Sequence, residues 1–158
     1  MSSPSLSTAE HCIKRSDKMQ TTASNLRSDD DEWFAVCYFY AAYHVIRAAL
    51  LEDPVFNSLK RLGQVSTKHR MNLTMADRDT QRHTGRKTPG AARSVGINDL
   101  VRILYPESNV AYHQLHGASV DVRYKSGLSR VDAGSAQENY LAVAEAYRAG
   151  RLVAAEIA

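Results

Sequence analysis

The sequence predicts an all-α domain, an up-and-down bundle of four to six helices interrupted by a long basic loop. Three observations point there. Residues 33–51 form a stretch of 19 almost wholly apolar residues. The segments on either side repeat apolar side chains every three to four positions, the period of an α-helix. Alternating strand patterns are nearly absent. With 158 residues and 44% hydrophobic content, one domain is expected, with a core large enough to need neither disulfide nor metal.

The elements follow in order. Residues 1–8 are polar, lack the apolar core of a signal peptide, and are expected to be disordered. Ser7-Thr8-Ala9-Glu10 has the spacing of a capping box. Behind it Cys12, Ile13, Ser16, Met19, Ala23 and Leu26 share one face, so a first helix is expected over 9–26. Asp29, Asp30 and Asp31 suit a helix N-terminus electrostatically, and a second helix runs over 31–51. Being apolar nearly all round, that helix should be wrapped by the others. Asp53-Pro54 reads as an N-cap and first helical position. It opens a short third helix marked by Val55, Phe56, Leu59 and Leu62, with Gly63 as its stop.

Residues 64–96 show no sustained period and are expected to form a functional loop or a disordered insertion. A short helix follows over 97–105, ended by Pro106. Ser108 or Asn109 caps the next, whose inner stripe is Val110, Leu115, Ala118 and Val122 and which closes near Gly127. Residues 129–134 read as a linker. A second capping box at Ser135–Glu138 starts the last helix, with Tyr140, Leu141, Ala144, Tyr147 and Leu152 on its face. The expected organisation is therefore a bundle over 9–128, containing the 64–96 insertion, and a linker with a packing C-terminal helix over 129–158.

Length alone would let residues 33–51 cross a bilayer. Yet the stretch contains His44 and Arg47, is rich in Ala and Tyr, and lacks close flanking basic residues to orient it. A core helix of a soluble, cytoplasmic protein is expected, with no membrane role. Cys12 and Cys37 fit buried, reduced thiols. Phosphate-cradling glycine loops, nucleophile elbows and zinc-protease motifs are missing from the chain.

Charge is uneven. The net charge is +3, but residues 60–102 hold ten Lys and Arg against three acids, or +7. Clustered cations are what phosphate binding needs. Lys68, Arg70, Arg82, Arg86, Lys87 and Arg93 are the candidate nucleic-acid contacts; the bland alternative is a solvated loop. Almost no aromatics are interleaved, so base stacking there is not expected. His113 and His116 lie three apart and, with His44, raise the question of a metal. No acid–histidine framework surrounds them, so no metal or other cofactor is expected. Tyr40, His44, Arg123 and Tyr124 would converge if the second and fifth helices pack together. In that case Asp121 or Glu52 is the candidate partner for Arg123. Otherwise His44 is a hydrogen-bonded core histidine.

The second helix, Tyr38-Phe39-Tyr40-Ala41-Ala42-Tyr43-His44-Val45-Ile46-Arg47-Ala48-Ala49-Leu50, resembles the HEPN family. Small prokaryotic members show a similar Tyr-Tyr-Ala-x-x-His-x-x-x-Ala-x-Leu pattern. Residues 115–124 are similar to a second family element, Leu-x-x-x-Arg-x-x-Ala-Asp-Tyr. Ser119 stands there where arginine is common, and Arg123 where an acid is common. Lys87-Thr88-Pro89 matches a Lys-Thr-His element with proline in place of histidine. The resemblance covers most of 10–62 and 97–150. It implies a bundle that pairs into homodimers and works in toxin–antitoxin or defence systems. Partners would be RNA, a nucleotide, a cognate antitoxin or a nucleotidyltransferase-like protein. Catalytic members are metal-independent ribonucleases with Arg-x(4–6)-His; others are non-catalytic binding or assembly subunits. Arg78 and His83 are the one match in this chain, and the resemblance gives them the catalytic roles. Histidine would move the 2′-hydroxyl proton and arginine would neutralise the phosphate. A chance match in a basic loop is the alternative.

Overall fold

The computed structural model describes residues 8–28, 32–86, 89–90, 94–124 and 133–157. Among these, the protein is a bundle of six α-helices without a strand: α1 (Ala9–Ser28), α2 (Phe34–Glu52), α3 (Leu59–His69), α4 (Ile97–Leu104), α5 (Pro106–Tyr124) and α6 (Ala133–Arg148). Short 3-10 turns lie at Pro54–Asn57 and Met75–Asp79.

α2 is the axle. It packs along α1, α5 and α6, and the second 3-10 turn touches it as well. Ala41, Ala42, Ala48 and Ala49 are fully or almost fully buried, and these small side chains let neighbouring helices approach closely. The span Phe34–Asn57 is long and apolar enough to cross a membrane, and 83% of an 18-residue apolar window within it is buried inside the bundle. Phe39, Ile46 and Leu50 join Leu100, Tyr112 and Leu115 in one core.

Several boundaries differ from the expectation, each for a local reason. The cap of α1 is Thr8, whose hydroxyl accepts from His11 N at 3.2 Å; Ser7 lies outside the described residues. Asp53 does cap at Pro54, accepting from Val55 N at 2.9 Å, but only a 3-10 turn results. Ser58 then caps α3 through Arg61 N at 3.2 Å. Gly63 does not stop that helix. Leu62 and Val65 continue its buried face, and it ends at Arg70, whose φ of 54° is left-handed. The expected structureless span over 64–96 therefore begins with a helical turn and contains a second, 3-10 turn. Pro106 both follows α4 and opens α5, since the first helical position needs no N–H. That shift leaves Val110 66% exposed rather than on the inner stripe. α6 starts at Ala133, so Ser135 lies inside its first turn instead of capping it. The linker over 129–134 and the helix end near Gly127 fall mostly outside the described residues.

Asp53 organises one end of the bundle. Its carboxylate is buried and accepts from Val55 N (2.9 Å), Tyr105 OH (2.9 Å) and Ala154 N (2.8 Å). The last bond fastens the segment after α6, which turns at Gly150 (φ 72°) and buries Leu152 and Ala154.

Candidate functional site

The site begins with the way residues 82–85 meet α4. The first N–H groups of a helix have no partner within it. Here the carbonyls of Arg82 and His83 accept from Ile97 N (2.7 Å) and Asn98 N (2.9 Å). A Cβ on residue 96 would stand 2.4 Å from the Thr84 carbonyl carbon. Only glycine permits that approach, and Asp99 secures it by accepting from Gly96 N at 3.1 Å. His83 is thereby fixed by its backbone.

Its ring is set into an aromatic nest. The centroid lies 5.0 Å from Tyr43, 5.2 Å from Phe39, 5.7 Å from Tyr40 and 5.8 Å from His116. Tyr40 OH and His83 Nε2 are 3.4 Å apart, and Tyr43 OH donates to Gln81 O at 2.6 Å. From α5, Arg123 donates through Nη1 to Tyr40 OH at 3.5 Å and through Nε to Ser119 O at 3.3 Å. Its guanidinium stands over the rings of Tyr40 (5.9 Å) and Tyr124 (5.2 Å), favourable cation–π geometry. His116 Nδ1 is 3.4 Å from Asn98 Nδ2. Four buried polar atoms here, His83 Nδ1, Asn98 Oδ1, Tyr112 OH and Ser119 Oγ, have no hydrogen-bond partner among the described residues. Buried polar atoms without partners are rare in folded proteins.

Electrostatically the cluster is one-sided. His83 is held below the ordinary imidazole range, first by burial and then by Arg123. His116 is pushed down to about 4 by burial, then by His83, Arg123 and His113. Every charged neighbour acting on the pair is positive, so both rings are neutral at pH 7. Burial raises the Tyr112 hydroxyl well above its ordinary range. An anion entering this cluster would reverse the penalty and favour the protonated imidazoles. One ring could then donate a proton while the other accepts, the requirement of general acid–base work.

The expected residues separate into groups. Tyr40, Arg123 and Tyr124 do converge, and His83 joins them. His44 touches the cluster only through Tyr43, with ring centroids 5.1 Å apart. Arg78 turns the other way: it donates through Nη2 to Asp53 O at 3.0 Å and covers the Phe56 ring at 5.8 Å. It ties the second 3-10 turn to the end of α2. Glu52, a candidate partner for Arg123, instead accepts from Tyr147. Lys68 lies with His69 and Arg102 on a groove of about 300 Å³ at the far end of α3 and α4. Arg70 caps α3. Arg82 and Arg86 are exposed, with Arg86 pinned to Ser94 through its backbone (2.8 Å). Lys87 and Arg93 lie outside the described residues. His113 is exposed and bonds Asn109 O at 2.9 Å. Among the described residues no three His, Cys, Asp or Glu side chains converge to hold a metal.

Asn98, Tyr43 and Tyr112 were not expected as site residues, and His116 was weighed only as a metal ligand. Residues 112, 116, 119 and 123 recur at helical spacing, a polar stripe that the period could have revealed. No family model, curated protein or solved structure matches the chain.

Proposed function

We propose that the protein is a HEPN-like helical module that associates with RNA or a nucleotide through its phosphate, in a toxin–antitoxin or defence context. The observation that carries this is the meeting of Arg123, His83, His116 and Tyr40 from three parts of the chain, with cations as the only charges acting on the imidazoles. Guanidinium and imidazole are the groups that hold phosphate oxygens. The nearby tyrosines supply ring faces for a base, which the basic segment lacks. The family resemblance adds a homodimer and a cognate antitoxin or nucleotidyltransferase-like partner to the proposal. Filter binding with a short RNA and with a mononucleotide, across a salt series, tests it. Binding is expected to weaken steeply with salt and to fall in Arg123→Gln. Absence of binding at low salt defeats the proposal.

A second reading, metal-independent ribonuclease action, is favoured by the 5.8 Å pairing of two imidazoles. His83 keeps the proton-transfer role in it. Arg123 takes the phosphate-facing role that the family resemblance gives to Arg78, whose guanidinium is committed to Asp53. Cleavage that leaves cyclic 2′,3′-phosphate ends and is lost in both His83→Ala and His116→Ala supports this reading. Undiminished cleavage in either variant ends it.

A further inference from the structure

We infer that Arg47 and His44, one turn apart on α2, form a second anion site that takes a phosphate group. Arg47 lies in the middle of the core helix and is only 5% exposed. Burying a guanidinium without a counter-charge is costly. Among the described residues no carboxylate pairs with it and no hydrogen bond holds it. Three residues earlier, one turn along the same face, His44 is 7% exposed and its Nδ1 is buried without a partner.

The surroundings reinforce the charge instead of cancelling it. Arg47 and Arg15 both act on His44, whose imidazole is pushed down to about 4, with burial as the first cause. Arg47 also acts on Tyr43 and, from α1, on Cys12. Burial pushes both up, so both stay neutral at pH 7. Two guanidinium groups, one of them on the exposed Arg15 of α1, thus act on one imidazole, and no acid is among the charges acting on it. A phosphate offers acceptors to all three and turns each repulsion into an attraction. Inorganic phosphate and the phosphate of a nucleotide share this chemistry.

The position also bears on ligand size. Arg47 follows Tyr40 by seven residues, about 10 Å along the helix axis. The His83–Arg123 cluster and this site therefore lie along one face of α2, suited to a ligand carrying two phosphate groups. That larger ligand rests on the function proposed above; phosphate binding at Arg47 does not.

The test uses the full chain and follows the His44 ring by NMR while inorganic phosphate, or adenosine 5′-monophosphate, is added. Saturable binding is expected to move the His44 titration up by about one pKa unit or more. Arg47→Met should abolish the response yet fold, because removing an uncompensated buried charge does not destabilise. Arg47→Lys should restore part of it. A roughly tenfold preference for the nucleotide names that source, and equal affinity names free phosphate; either supports the site. Three results overturn it. One is a His44 ring indifferent to both ligands. Another is a loss of about 5 °C or more in Tm in Arg47→Met, which would mean an internal counter-charge. The third is a His44 response that follows protein concentration instead of phosphate, which would mean that a second copy covers Arg47. Loss of RNA binding in Arg123→Gln with the His44 response intact would leave this site standing alone.

Discussion

Asp53 and His83 sit at two polar nodes of the same core helix, and the nodes are built to opposite rules. At Asp53 a buried carboxylate meets a backbone amide at the 3-10 turn, a phenol and a second amide from the C-terminal segment. The side-chain polar contacts of His83, His116 and Arg123 are long, from 3.3 to 3.5 Å, and four buried polar atoms have no partner among the described residues. The first node closes on itself and holds the fold. The second leaves buried polar atoms over, which the proposed phosphate ligand would complete. Two tyrosines sharpen the contrast. Tyr105 and Tyr112 are equally buried, but only Tyr105 has found a partner for its hydroxyl.

The largest expected effect is at the closed node. Asp53→Ala strands two amides and the Tyr105 hydroxyl, and should cost about 3–5 kcal/mol in urea unfolding. A cost below about 1 kcal/mol would show that this node does not fasten the fold, and the contrast would fail. Tyr105→Phe removes one bond to a charged acceptor and should cost about 1.5–3 kcal/mol by the same measurement.

Next comes the hinge between the nodes. Gly96→Ala forces a Cβ into the Thr84 backbone and should cost about 1–3 kcal/mol, as overpacking does. It should also displace His83, since that carbonyl is held by the N-terminus of α4. RNA binding should weaken along with stability. Wild-type binding in a destabilised Gly96→Ala protein would detach His83 from the proposed site.

A pH series probes the open node and the Arg47 site together. His116 and His44 are both depressed to about 4 from an unfolded value of 6.5. Between those values the unfolded chain binds more protons, so stability falls as pH drops from 6.5 towards 4. Above 6.5 these groups add no slope, and below about 4 the loss from them is complete. Urea midpoints at several pH values should show this decline, and His116→Ala should flatten it. Phosphate should flatten it as well, by favouring the charged rings.

How far the sequence foretold these nodes differs between them. The bundle, its core helix and the Asp53 cap follow from apolar period and from Asp-Pro spacing, which are local signals. The convergence of Tyr40, Arg123 and Tyr124 was legible because two helices that pack bring their stripes together. His83 was singled out through the family motif, but Arg123, the arginine whose charge acts on it, was not paired with it. The resemblance, through its Arg-x(4–6)-His motif, pointed to Arg78, whereas the fold turns Arg78 to a backbone carbonyl and brings Arg123 from 40 residues away in sequence. Nothing local encodes that choice; it depends on Gly96 docking the loop on α4. Gly63 misled for a related reason: a glycine stops a helix only when the buried face stops too, and Val65 carries it on.

The smallest effect is the most discriminating one. Tyr112→Phe deletes a buried hydroxyl that has no partner. Removing an unsatisfied buried group relieves its desolvation cost, so the variant should match or exceed wild-type stability, by up to about 1 kcal/mol. The sign matters more than the size, because the same deletion at Tyr105 has the opposite sign. If the Tyr112 hydroxyl takes part in holding an anion with His83 and Arg123, the stabilised variant should bind RNA more weakly than wild type. A stabilised variant with unchanged affinity would confine the site to the two imidazoles, Arg123 and Tyr40. A destabilised one would mean that the node is closed from within, and the difference between Asp53 and His83 would disappear.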